Sequence, residues 1–404
     1  MAWHTPISRL FTKEPEVTKI KRRRYAGAAL SRLTDGWVTG NTSADAEIKT
    51  SLKKLRDRSR QLCRDNPYAK QAKRTTQINV IGQGIKLQCL VPTMRKGKKD
   101  KKLSMMIEQA WKEWCKRDHC DVSGQKSFFM LENMMVGALV ESGEVFFRII
   151  RRKFGKSKVG LALEIIESDL VDDEYTGKVL RKGNEWRMGI EVDKFGRPQR
   201  YAFFNRHPGD YWFADTYTDQ KHTIVNASDI IHLFLPERPS QNRGVPFFAS
   251  IMDDMHQLSG YESAAVIRAR AGASLMGFIS STEGELEADD VENEQRLTDF
   301  EAGVFKYLNP GEEITVPNIS SPDSQYESFV RAKIRRFASG LGCSYETISR
   351  DFSETNYSSS RLSLLEDREH WKMLQTYFVE NFHQRVFDEF LDAAVLSGVL
   401  QLPD

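Results

Sequence analysis

Residues 247–271, FFASIMDDMHQLSGYESAAVIRARA, decide the fold. The stretch has no proline and carries Ala249, Ala264, Ala265, Ala269 and Ala271, so it predicts one helix of about 25 residues, near 37 Å at 1.5 Å per residue. A long helix with so many small side chains packs closely against like helices. Upstream, residues 143–234 have strand chemistry: 144–150 alternates, as do parts of 160–166, 188–193 and 198–204, with Asp193 to Gly196 as a turn. Downstream, residues 283–301 hold nine Asp/Glu against Arg296 and lack the spacing of a calcium loop. Residues 304–316 read as a hairpin around Asn309, Pro310, Gly311 and Glu312. A second helix beyond Pro322 puts Tyr326, Val330, Ile334, Phe337 and Leu341 on one stripe, with Arg331, Lys333, Arg335 and Arg336 around it, and ends at Gly340 and Gly342. The polar stretch 349–360 follows. A last helix then carries Trp371, Leu374, Phe378, Phe382, Val386 and Phe390 at steps of three and four.

The amino-terminal part reads as helices at 44–64, 67–80, 103–117 and 125–141, with a turn at Gly82 to Gly84, a strand-like run from Ile85 to Val91 and an exposed basic loop from Arg95 to Lys102. Residues 1–43 lack sustained periodicity and read as an arm ordered against a neighbour. The net charge of +3 conceals a polarity: residues 1–102 hold 25 Lys/Arg against 8 Asp/Glu, a balance of +17, and the remainder therefore carries −14. Two such ends meet different partners. No run of 18 apolar residues is present, so no membrane partner is expected, and no secretory leader is visible at Met1. Synthesis in the cytoplasm is the expectation. Five scattered cysteines argue for reduced thiols. Cys115, His119 and Cys120 have no second ligand pair nearby, so no metal is expected. His232, inside the apolar run 230–235, reads as a buried, hydrogen-bonded histidine; Asp253, Asp254 and His256 read as helix surface. No catalytic arrangement has a local signature, and no G-x4-G-K-[ST] phosphate loop occurs.

Several stretches, in this order, carry a resemblance: Leu55 to Arg60 with Asn66-Pro67, Val80 to Ile85, Ser142 to Phe146, Ile231 to Phe234, Arg238 to Pro246, Leu308 to Glu312, and most specifically Asp351 to Arg361. Through them the chain resembles the lambda-type tailed bacteriophage portal family over nearly its whole length. The resemblance implies an α+β portal fold. Its parts are a basic arm (1–43), an α/β wing (44–244), a first stem helix (245–274), a small α/β clip (275–321), a second stem helix (322–342), a channel loop (343–360) and a long wing helix (361–404). Family members usually continue into a helical crown beyond a position like Pro403, so a crown is expected to be absent or truncated.

The resemblance further implies a homo-oligomeric ring of about twelve subunits at one capsid vertex, assembled in the host cytoplasm and carried in the virion. Double-stranded DNA passes through it non-specifically during packaging and ejection. Terminase and the head-tail connector meet the clip, and major capsid protein or scaffold meets the wing. ATP hydrolysis belongs to the terminase, so no cofactor is expected. On this reading Asp351, Glu354, Asn356, Ser358, Ser359 and Ser360 face the channel, where acidic and small polar groups avoid gripping phosphate. Phe352 and Tyr357 anchor the base of that loop. Ala265, Ala269, Phe329 and Phe337 are expected at stem contacts between subunits, and Glu285, Glu287 and Asp290 on the clip surface. A metal-dependent DNA-processing enzyme is the alternative, because scattered carboxylates can hold magnesium.

Overall fold

The computed structural model describes residues 32, 39–92, 99–210, 222–273, 278–281, 312–315 and 326–401. The chain divides into two units, Met1–Thr42 and Ser43–Asp404. Of the first, only residue 32 and residues 39–42 are described, and the rest of the expected arm lies outside them.

Ser43 caps α1 (Ala44–Asp65) by accepting from the Ala46 N–H. Asn66 then does three things at once: its N–H closes α1 on Leu62, its side-chain oxygen accepts from the N–H groups of Tyr68 and Ala69 at the head of α2 (Pro67–Val80), and its amide donates to Ser259. Proline suits the position after it, where no N–H is needed. α3 (Lys101–Trp114) and α4 (Phe128–Ser142) follow. Gly143, at φ 83°, ends α4 and starts β1 (Glu144–Ile150). A Cβ there would overlap the Val245 carbonyl, and one at Gly244 would overlap the Gly143 carbonyl. Two backbones cross at van der Waals distance, which only glycine permits.

β1 pairs antiparallel with β2 (Ala162–Ile166) on one side and β7 (Ile230–Phe234) on the other. Between these last two lies a separate antiparallel sheet of β3 (Glu185–Arg187), β4 (Ile190–Val192), β5 (Pro198–Phe204) and β6 (His222–Asn226), in that order. The strand expected within 188–193 is β4. Met188 and Gly189, at φ 47° and 81°, form the two-residue turn between β3 and β4, the positive-φ pair that matches the twist of a tight hairpin. The strand-like run 85–91 alternates half-buried and exposed residues, but among the described residues it joins no sheet.

The helix read at 247–271 is α5 (Met252–Ala273), which starts five residues later because turns from Pro246 and Phe248 occupy 247–251. Phe278–Ser281 (β8) pairs antiparallel with Glu312–Thr315 (β9). β9 is the second strand of the expected 304–316 hairpin, whose first strand and turn lie outside the described residues. α6 (Tyr326–Leu341) ends at Gly342, φ 67°, as read. α7 (Tyr345–Ser349) and α8 (Tyr357–Phe378) replace most of the loop expected at 343–360, leaving 350–356 between them. A π-helical turn at Val379–His383 joins α8 to α9 (Gln384–Leu396).

β1 explains the layering. Val145, Phe147 and Ile149 face a core of Trp111, Trp114, Phe128, Leu131, Phe382 and Phe390, whereas Phe146 faces Ile190, Tyr201 and Phe203 of the second sheet. Period-two alternation directs each set to one face, and each fully buried phenylalanine contributes about 1.5–3 kcal/mol. A third cluster seats α5 and α6: Ala69 and Ala72 of α2 pack with Phe248, Ile251, Met255, Leu258, Ile334 and Phe337. Tyr377 of α8 pins β7, accepting from the Phe234 N–H at 2.9 Å and donating to its carbonyl at 2.7 Å.

Candidate functional site

Four of the quoted stretches meet at one buried ionic knot. Glu144, at the start of β1, accepts from Arg243 Nε at 3.0 Å and Nη2 at 2.6 Å, from the Gly244 N–H at 2.9 Å and from His232 Nε2 at 3.1 Å. Arg243 extends to Asp173 Oδ1 at 2.9 Å and to the Met188 carbonyl at 2.7 Å, which holds the positive-φ turn. Arg56 of α1 lies 3.6 Å from Glu144 and 3.3 Å from Asp173, and Arg60 pairs with Asp169. Three guanidinium groups thus offset three carboxylates, with Arg56, Glu144 and Arg243 all buried.

Burial alone would raise the Glu144 carboxyl, yet the Arg243 charge and the His232 hydrogen bond hold it well below the usual carboxylate range. Burial pushes the His232 imidazole below its ordinary value against the pull of Glu144. His232 is therefore a neutral donor, the buried histidine that the sequence reading expected. With every Glu144 oxygen engaged, the knot ties β1 and β7 to the segment that leads to residue 246 and the turns beyond it. Sequence reasoning quoted these stretches but missed that they touch; a charged residue inside an otherwise apolar or glycine-bounded run was the available signal.

The polar stretch is built differently from the expected loop. Asp367 of α8 accepts from the Ser344 N–H and from the Ser344 and Thr347 hydroxyls, which holds α7 in place. The Gln71 amide, oriented with its oxygen toward Arg350, accepts from Arg350 Nε at 2.7 Å. Asp351 accepts from the Tyr345 hydroxyl at 3.0 Å and from Ser353, whose hydrogen bonds lower its carboxyl below the ordinary value. Glu354 pairs with Arg331 and, at 3.5 Å, with Arg335 on α6. Asn356 caps α8 through a reciprocal box with Ser359, so Ser358, Ser359 and Ser360 occupy its first turn and are not loop residues. The reason is the cap: Asn followed at the third position by Ser satisfies two free N–H groups at the helix start. Phe352 and Tyr357 are 57% and 81% exposed, which corrects their reading as buried anchors.

Between α5 and α6, Asp254 accepts from Lys333 at 2.9 Å and meets Arg336 at 3.0 Å, and the Tyr261 ring packs on Tyr326 and Phe329. Ala265 and Ala269 are partly exposed and Phe329 is exposed, so all three remain open to a neighbour. Phe337 is not: it is fully buried in its own chain's cluster, because its stripe faces Phe248 and Met255. That overturns its reading as a subunit contact. Glu285, Glu287 and Asp290 lie outside the described residues. Cys115 and Cys120 are free, and burial pushes the Cys120 thiol up to about 12.

Residues 30–375 match the family model described as phage portal protein, lambda family. The chain is 30% identical over 408 residues to the probable portal protein of Halomonas phage phiHAP-1, covering 99% of this chain and 77% of that protein. It is 23% identical to portal protein B of Escherichia phage lambda, covering 94% of this chain and 77% of the relative. Among solved structures it resembles a chain in the neck of an empty GTA particle at a TM-score of 0.45 and 12% identity, over 81% of this chain and 78% of that one. The chain belongs to the lambda family of phage portal proteins.

Proposed function

We propose that this portal-family chain forms a ring of about twelve copies that conducts double-stranded DNA into and out of a phage capsid, with a structural and not a catalytic role. One observation supports the ring above others. From Tyr261 to Arg270 no residue of α5 is buried, and Tyr261, Val266, Ile267 and Phe329 expose apolar surface on the α5–α6 pair. A pair of helices with an apolar outer face requires a further layer, and a neighbouring copy supplies it through Ala265 and Ala269. In this ring α5 and α6 form the stem, the 275–321 insertion the clip, and the part around the ionic knot the wing.

The 350–356 segment and the head of α8 face the channel in this reading. Their carboxylates are partly spent on α6, so the surface offered to DNA is of mixed polarity and holds phosphate weakly. Terminase and the head-tail connector dock at the clip, major capsid protein or scaffold at the wing, and the assembled ring is a virion component. A packaging reaction with cognate shells and terminase tests the role. DNase-resistant DNA should accumulate only when the chain occupies the shell vertex, and equal protection without it overturns the proposal.

A further inference from the structure

α8 is seated by its second part alone. Asp367, Trp371, Leu374 and Phe378 form its buried row at steps of three and four, whereas no residue from Tyr357 to Glu366 is buried. That first part is nonetheless a capped helix, and it carries leucines: Leu362 is 60%, Leu364 49% and Leu365 48% exposed. They do not share one face. Leu362, Leu365, Glu366 and Glu369 follow at i, i+3, i+4 and i+7, and Arg361, Leu364 and Arg368 at i, i+3 and i+7, so each set is a row along the helix. At roughly 3.6 residues per turn the two rows stand about 130° apart. One is apolar and acidic, the other apolar and basic.

The charges of these rows are unspent. Arg361, Glu366 and Arg368 are exposed and have no ion-pair partner among the described residues, and Glu369 meets Lys372, an exposed neighbour on its own helix, at 2.6 Å. A helix with two apolar flanks requires cover on both, and here each row fits the other. Copies related by rotation about one axis point the same way and stand at one level, so one row of a copy meets the other row of the next copy in register. Leu364 then lies level with Leu362 and Leu365, and Arg368 with Glu366 and Glu369, each within two residues or about 3 Å along the helix. A two-fold contact along either row would instead set like charges against each other.

We infer that the first part of α8 is an interface with a second copy of this chain. The Arg368 row of one copy packs on the Glu366 row of the next, head to tail, and the repeated contact makes a collar of α8 helices. This inference rests on the ring proposed above and gives it a contact separate from Ala265 and Ala269. It leaves Asn356 to Ser360, at the tip of each helix, for the channel.

The test uses the full chain, its mass read by light scattering over a dilution series, and two variants. Arg368→Glu sets acid against acid at every contact, and Glu366→Arg with Glu369→Arg sets base against base. Each variant alone should raise the concentration at half assembly at least about tenfold, because like charges across an interface strongly disfavour it, while the dilute subunit melts as the native chain does. An equal mixture of the two should assemble like the native chain, since alternating copies restore opposite charges at every contact. Should either variant lose its fold, Leu362→Cys with Leu364→Cys decides: a short bismaleimide should link successive copies into a ladder that the native cysteines do not give. Native-like assembly of either variant alone, a folded mixture no better than its parts, or the absence of that ladder would overturn the contact and leave the native ring standing. A native chain that stays a single subunit would overturn the ring and this contact together.

Discussion

Arg243 and Glu144 stand 99 residues apart in sequence and meet with neither side chain exposed, Nη2 to Oε1 at 2.6 Å. The pair joins β1 to the segment that leads toward α5. Removing one partner strands the other charge in the interior. Arg243→Ala should therefore cost about 3–5 kcal/mol, seen as a large fall in melting temperature; a fall no greater than that of an exposed Arg→Ala control would contradict the assignment.

Acid should loosen this junction in two stages. Burial keeps His232 neutral in the fold, so below pH ~6.5 the unfolded chain takes up a proton that the folded chain refuses, and stability drops by up to about 1.4 kcal/mol per pH unit. Glu144, held below the carboxylate range, contributes stability that is present above its unfolded value and lost as pH falls through its folded one. Melting curves at pH 7.5 and 5.5 should show a larger loss for the native chain than for His232→Gln, and identical losses would refute the first stage.

Helix periods and turn residues were readable in the sequence because each depends on neighbours a few positions away. Asn66-Pro67 and Gly342 ended helices where expected. The knot was not legible, because Arg56, Glu144, His232 and Arg243 become one site only through the pairing of β1 with β7 and the crossing of Gly143 by Gly244. Phe337 was misplaced for a related reason: an apolar stripe says that a helix face is covered, not whether its own chain or a neighbour covers it. Polarity and the family resemblance both point to a loop across 349–360, and neither reveals that Asn356 and Ser359 form a helix cap.

Overpacking the proposed subunit contact should break assembly. Ala265→Leu with Ala269→Leu adds bulk at two partly exposed positions and should cost about 1–3 kcal/mol per site in the ring. The isolated subunit should melt as before. Normal oligomer mass by light scattering would count against the contact.

Charge reversal at Asp351 and Glu354 probes the proposed channel surface. Glu354→Lys faces Arg331 and Arg335 and should release the 350–356 segment from α6 while the rest of the chain stays folded, since surface ion pairs contribute little to stability. Rings should form and packaged DNA should change; unaltered packaging would point these side chains away from the channel.

Reversal of Glu285, Glu287 and Asp290 should leave rings intact and weaken terminase or connector binding, most strongly at low salt, where charge pairs are least screened. Equal binding at low salt would remove the clip surface from the proposal.

The most direct test of the account is electron microscopy of the purified chain viewed down its symmetry axis. Closed rings of about twelve subunits around a central opening are the predicted result. A homogeneous population of single subunits under conditions where the fold is intact would contradict it.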